Sequence, residues 1–302
     1  MATTITKLLS TGVLQTSVPL DETTSTSIKV SPTGVYAAQF DEVNLAAGTA
    51  ERRTNTGTYM VSGYFDEVTG PIVTNGLLAY YDAGKTESQP ATGATWYDLS
   101  NNVKNATTST GYPTFNSAGY FTFSTATNAQ VYKTLALSPT AWTDSWTIEV
   151  WMYTPTGATW SNGTNRSHFI SAGSTLGTWG IVRYPTDNQI TTWIRGDAEF
   201  NETARATLTR DTWNQFVGTW NGVSTITSYK NGALVGTATV TPTGVPDPIG
   251  TGLNIGGTNS TVSGAPGTYY EGNIAVVMMY NRALSLSEVN NNFEALRSRF
   301  GI

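Results

Sequence analysis

The sequence predicts an all-β protein: a small N-terminal β domain over residues 1–72, then one large β-sandwich over residues 76–302 that ends in a short helix. Three observations carry this. The stretch WNQFVGTWNGVSTITSYKNGALVGTATV, Trp213 to Val240, holds two Asn-Gly pairs, Asn221-Gly222 and Asn231-Gly232, around a short alternating segment. Asn-Gly supplies the positive-φ residues of a type I′ hairpin turn, so three antiparallel strands in a meander are expected. Ile226 and Ser228 should share one face of the middle strand, and Thr225, Thr227 and Tyr229 the other. The composition agrees: 30 Gly, abundant β-branched Thr, 39% hydrophobic residues and 12% charged ones suit a half-solvated pleated surface around a sizeable core. Finally, a clear helical period occurs only near the C-terminus.

Residues 1–72 differ from the rest. They contain no Trp, and Phe40-Asp41-Glu42-Val43 recurs as Phe65-Asp66-Glu67-Val68, each after a Thr-Gly-x-Tyr. Two similar strand pairs, or two edges of one small sheet, account for the echo; two copies are too few for a solenoid. The Asp-Glu pairs read as solvated strand ends, with an anionic ligand role as the alternative. Gly70-Pro71 to Asn75-Gly76 carries turn chemistry and forms a short linker.

In the larger part, WTIEVWMY (Trp146 to Tyr153) alternates, with Trp146, Ile148, Val150 and Met152 on one face. At the C-terminus, Ser285-Leu286-Ser287-Glu288 is a capping box. Val289, Phe293, Leu296 and Phe300 follow on one helical face that ends near Gly301. That face is expected to pack on the sandwich, with docking on a neighbouring subunit of a homo-oligomer as the alternative.

These pieces resemble laminin G-like, or concanavalin A-like, jelly-roll domains. The meander is similar to the family's central hairpins, WTIEVWMY to its long core strand, and LNIGG (Leu253 to Gly257) to its L-x-I-G-G strand. YEGNIAVVMMYNRAL (Tyr270 to Leu284) is similar to the closing block. GLLAYYDAG with TWYDLSNNVKNAT resembles the opening of jelly-roll modules found in bacteriophage structural proteins. The N-terminal segment, ITKLLSTGVLQTSVPLDE onward, is similar to leader segments of virion proteins of tailed phages, those of marine cyanobacterial phages in particular. The resemblance implies residence on a virion surface, with residues 1–72 docking on capsid or tail proteins. The fold hosts lectins, adhesion modules, hydrolases and spacers, so it does not by itself assign a function.

Composition excludes several classes. Net charge is −5 and Lys and Arg form no run, so the basic footprint of a nucleic-acid binder is missing. No apolar run reaches the roughly 18 to 20 residues of a membrane span. The first residues lack the basic and apolar regions of a signal peptide. Cysteine is absent, which a core of this size tolerates. N-x-[ST] triplets such as Asn162-Gly163-Thr164 are expected by chance in a chain so rich in Thr and Asn.

Catalytic residues are not expected. The single His, His168, begins an apolar strand and reads as a packing residue, and the count excludes a His-rich zinc site. A glucanase needs two closely spaced carboxylates. Glu149 has Trp151 and Tyr153 where an acidic partner would stand, and Glu199 and Glu202 fall in a turn-like stretch. The resemblance implies a Ca²⁺ site in the Tyr97–Asn105 loop, with Asp98, Asn101 and Asn102 as ligands. Asn101 and Val103 replace the family's glycines there, Lys104 replaces an Asn, and Ala275-Val276 replaces an acidic pair in the closing block. For sugar binding, exposed aromatic platforms beside polar groups are needed. Trp160 with Asn162 and Asn165 is the first candidate and Trp179 the second; most other Trp residues lie in strand motifs.

The sequence therefore predicts a non-enzymatic virion surface protein, a capsid decoration protein or a fibre-like appendage, that displays a jelly roll. A carbohydrate-binding adhesin for host surface glycans is the alternative.

Overall fold

A computed structural model describes residues 71–89, 94–107, 113–124, 132–134, 141–158, 167–172, 179–184, 188–195, 200–243, 253–257 and 269–302, and the backbone of four strands before residue 70. The chain divides into two compact units, Met1–Val68 and Thr69–Ile302. In the first, β1 (Thr4–Leu8) pairs antiparallel with β2 (Leu14–Pro19), and β3 (Thr49–Thr54) with β4 (Gly57–Ser62). The two Phe-Asp-Glu-Val copies lie outside the described residues.

The second unit is a two-sheet sandwich. Its strands are β5 (Leu77–Asp82), β6 (Thr95–Trp96), β7 (Ala106–Thr107), β8 (Thr114–Asn116), β9 (Tyr120–Phe123), β10 (Tyr132–Thr134), β11 (Trp146–Tyr153), β12 (Ser167–Ala172) and β13 (Trp179–Tyr184). There follow β14 (Gln189–Arg195), β15 (Phe200–Glu202), β16 (Ala206–Thr207), β17 (Trp213–Trp220), β18 (Thr225–Lys230), β19 (Ala233–Thr239), β20 (Leu253–Ile255), β21 (Gly272–Tyr280) and the helix α1 (Leu286–Phe300). Sheet I has the order β19-β18-β17-β11-β21-β9-β8, with β5 also on β21. Sheet II has the order β15-β14-β13-β12-β20-β10-β7-β6, with β16 also on β14.

Alternation builds the core between them. Trp146, Ile148, Val150 and Met152 of β11 turn inward with Phe216, Trp220 and Val277, and meet Phe169, Trp179, Ile181, Ile190 and Ile255 of sheet II. The intervening residues of β11 turn outward. Trp151 joins Val217, Tyr229, Val276 and Met278 in a second apolar cluster that α1 covers with Val289, Phe293, Leu296 and Phe300. The helix starts at the expected capping box, where Ser285 and Glu288 cap each other, and stops at Gly301 in the left-handed region. Ile72, Val73 and Leu77 also pack on this cluster. The sandwich unit thus begins a few residues before position 76.

The two Asn-Gly turns differ. At Asn231-Gly232 both φ angles are positive, 48° and 75°, as a two-residue type I′ hairpin requires. At Asn221-Gly222 only the glycine is positive, φ 76°, and β18 starts later, at Thr225. Asn221 is a cap there: its Oδ1 accepts the N–H groups of Val223, Ser224 and Thr225, each at 2.9 Å. The meander is as expected, but its first turn is a longer loop organised by a side chain.

Candidate functional site

The loop that the family resemblance marks for Ca²⁺ does a different job. β5 has an outer edge, and an unpaired strand edge invites further pairing. Asp98 Oδ1 accepts the Tyr80 N–H (2.9 Å), Leu99 N–H donates to Tyr80 O (2.8 Å), and Ser100 Oγ donates to Leu78 O (3.1 Å). Asn102 Nδ2 donates to the carbonyls of Leu77 and Leu78 at 3.0 and 3.1 Å. The Asp82 N–H is taken by Ser88 Oγ (3.1 Å). The loop therefore closes the strand edge.

Its residues do not fit a cation. Asp98 Oδ1 also accepts the Ser100 N–H (2.8 Å), while Oδ2 accepts the Ser100 hydroxyl (2.7 Å) and the Lys104 N–H (2.8 Å). All four acceptor positions of the carboxylate are filled by donors, and Ca²⁺ would have to displace them. Asn102 turns its amide nitrogen inward and Asn101 sits exposed in the turn. No group of three metal-ligating acids, His or Cys occurs among the described residues. Val103, where the family has glycine, is 68% exposed at φ 54°, a strained conformation for a β-branched residue.

Beneath α1 lies a buried polar network that sequence reasoning did not anticipate. Glu149, fully buried on β11, receives Gln215 Nε2 (2.8 Å) and Trp151 Nε1 (3.0 Å) on one oxygen and Asn292 Nδ2 (2.8 Å) on the other. The two amides are oriented by backbone donors: Gly232 N–H on Gln215 Oε1 (2.9 Å) and Val73 N–H on Asn292 Oδ1 (2.8 Å). Burial raises the Glu149 pKa, and the three donors only partly oppose it. The neighbouring phenols of Tyr80 and Tyr280 are held protonated, chiefly by their own burial. A raised native pKa means that the folded protein holds a proton that the unfolded chain has lost. Between the ordinary glutamate value of about 4.3 and the raised one, stability therefore falls as pH rises. Thermal melts should accordingly favour the wild type over Glu149→Gln increasingly as pH drops from 7 to 5. A pH-independent gap would contradict the buried acid.

The remaining strand acids of the sandwich are also engaged. Asp82 (1% exposed) pairs with Arg299 of α1 at 2.5 Å and accepts Gly84 N–H (2.8 Å). Glu202, expected in a turn, lies on β15 and is bracketed by Arg205 Nε (2.9 Å) and Nη2 (2.7 Å), with the Tyr184 hydroxyl on its other oxygen. The Arg205 guanidinium lies over the Tyr184 ring, 3.5 Å from its centroid.

That cluster belongs to the outer face of sheet II, which is polar where the outer face of sheet I is apolar. Trp193 stands opposite Glu202 in the β14–β15 register. On the same face are Thr191, Val182 and His168, and the His168 ring meets Trp193 edge-on at 5.5 Å. His168 (9% exposed) and Trp193 (5%) are recessed, while Tyr184, Glu202 and Arg205 are partly open. Of the sugar candidates, Trp160, Asn162 and Asn165 lie outside the described residues. Trp179 does not serve: it is 2% exposed and stacked on Trp146 at 4.5 Å, so its faces belong to the core. The pairing of Trp193 with a carboxylate across two strands leaves no local sequence signal; the strand register alone brings them together.

A two-sheet sandwich with one face sealed by a helix and the other polar defines the class. The profile of the concanavalin A-like lectin/glucanases superfamily (Laminin_G_3) matches residues 123–290, more than half of the chain. The chain belongs to this superfamily. Among solved structures, it resembles a Trypanosoma rangeli sialidase in complex with 2,3-difluorosialic acid, at TM-score 0.51 and 18% identity over 74% of this chain and 33% of that one. It also resembles the binding domain of botulinum neurotoxin serotype D, at TM-score 0.53 and 11% identity over 74% of this chain and 52% of that one. At such identities the likeness concerns the fold, and the chain spans between a third and about half of those proteins. No curated protein sequence matches it. No described helix is long and apolar enough to cross a membrane.

Proposed function

We propose that the sandwich is a non-catalytic recognition module that takes carbohydrate on the outer face of sheet II, around Trp193, Tyr184, Glu202 and Arg205. The contrast between the two outer faces carries this reading. Sheet I has its outer face covered by α1, whereas sheet II presents the partly open Tyr184 ring, a carboxylate and a guanidinium, with Trp193 recessed behind them. Sugars are bound by such a combination: flat apolar C–H faces stack on aromatics while hydroxyls meet fixed polar groups. The absence of catalysis is supported by the acids themselves. Glu149 is sealed under α1 and Asp82 and Glu202 are each held by an arginine, so among the described residues no strand acid of the sandwich is placed as one of a hydrolytic pair. Full-length protein on a glycan array should select a defined sugar family. No binding to any glycan would sink the proposal, and turnover of a bound sugar would overturn its non-catalytic part.

A second, compatible reading is supported by the sequence resemblance of residues 1–72: the module is carried on a tailed-phage particle, docked through its N-terminal unit. That segment has too little charge for an ionic dock, so particles stripped of the protein should recapture the full-length chain even at high salt. Failure to recapture, or release by salt, would count against the attachment.

A further inference from the structure

We propose that Asn75-Gly76, in the turn just before the first strand of the sandwich, is a self-modification site at which asparagine converts to isoaspartate. Asn-Gly pairs are chemically labile because glycine leaves its own amide nitrogen sterically free. That nitrogen attacks the asparagine Cγ, the new N–C bond forms as the Cγ–Nδ2 bond breaks, and ammonia departs with the proton of the Gly N–H. Water then opens the cyclic imide at either carbonyl, giving aspartate or isoaspartate. The co-reactant is water alone.

The structure ranks the three described pairs. At Asn231-Gly232 both partners of the reaction are tied: Asn231 Oδ1 accepts Gln215 N–H at 2.9 Å, and Gly232 N–H donates to the buried Gln215 Oε1 at 2.9 Å. At Asn221 the side chain is held by three backbone N–H groups, each at 2.9 Å. Asn75 is exposed, its amide has no hydrogen bond among the described residues, and the Gly76 N–H faces no acceptor among them. The turn is closed by Leu77 N–H on Thr74 O (3.1 Å), and Gly76, at φ 77°, accepts the Asn281 N–H on its carbonyl (2.9 Å), which leaves the reacting side chain and N–H unengaged. A fourth pair, Asn162-Gly163, lies outside the described residues.

The consequence falls on a clamp. Asn75 O accepts Arg282 Nε (2.9 Å), and Arg282 grips Glu288 at the start of α1 through bonds of 2.9 and 2.7 Å. Isoaspartate routes the main chain through Cγ, one carbon longer, and leaves the former Asn75 carbonyl as a free carboxylate beside Arg282, so the clamp is rebuilt around a new charge. The change falls on the turn before β5 and its tie to the start of α1, while the sandwich core is untouched.

The test is to age the full-length protein in mildly alkaline buffer at physiological temperature and to map isoaspartate by digestion and mass spectrometry. The peptides Thr54–Lys85, Asp211–Lys230 and Asn231–Arg282 separate the three sites. Each net hydrogen bond that must open first slows cyclisation roughly fivefold, so Asn75 should react on the order of tenfold or more faster than Asn221 or Asn231. Asn75→Gln changes an exposed, unbonded side chain and should abolish the Thr54–Lys85 signal without altering the melt. Equal rates at the three sites, or early signal confined to Asn221 or Asn231, would overturn the proposal.

Discussion

Trp151→Ala is expected to cost about 3–5 kcal/mol and to unseat the C-terminal helix. The ring is fully buried on the outer face of sheet I, stacked on Phe300 at 4.5 Å and Phe293 at 5.8 Å. Truncation removes the surface on which α1 closes and also one of the three donors to Glu149. A buried carboxyl that loses a donor carries more of its desolvation penalty uncompensated, so the cavity and polar penalties act in the same direction. Chemical denaturation gives the magnitude, and far-ultraviolet circular dichroism reads the helix. A loss below about 1 kcal/mol with full helical signal would mean that α1 does not depend on this seat.

Asp98→Ala should be the next most damaging change, by about 2–4 kcal/mol, and calcium should not matter to either protein. The substitution leaves the N–H groups of Tyr80, Ser100 and Lys104 without their acceptor and reopens the edge of β5. A bound ion would raise the melting temperature with its concentration. Melts of wild type in calcium and in chelator are therefore expected to coincide. A calcium-dependent rise in wild type that Asp98→Ala abolishes would restore the metal site and remove the edge-closing account.

Much of the sandwich was legible because its signals are local. The period-two pattern of WTIEVWMY, the Asn231-Gly232 turn and the Ser285–Glu288 capping box each act within a few residues. Asn221 was misread as a type I′ position, since the same dipeptide serves equally as a side-chain cap when the loop is longer. The Asp98 loop was recognised by its resemblance, yet its function depends on which backbone atoms of β5 lie beside it, and spacing along the chain does not report that. Glu149 illustrates the same limit: its partners, Gln215 and Asn292, stand 66 and 143 positions away. Trp179 is the second sugar candidate in the sequence, but it opens a strand whose inward register carries it into the core. Glu202 looked like a turn residue, because a three-residue strand is too short to show a period.

The closing of one face and the exposure of polar groups on the other is the centre of this account, and sugar binding tests it most directly. With the sugar selected on the array, titration calorimetry should show binding by wild type that a chelator leaves unchanged. Tyr184→Ala and Arg205→Ala should each weaken it by roughly tenfold or more, with melts confirming that both remain folded. Leu286→Ser, on the exposed part of α1, should bind like wild type. Equal affinity in the first two variants, or a loss confined to Leu286→Ser, would contradict the assignment of the binding face to sheet II.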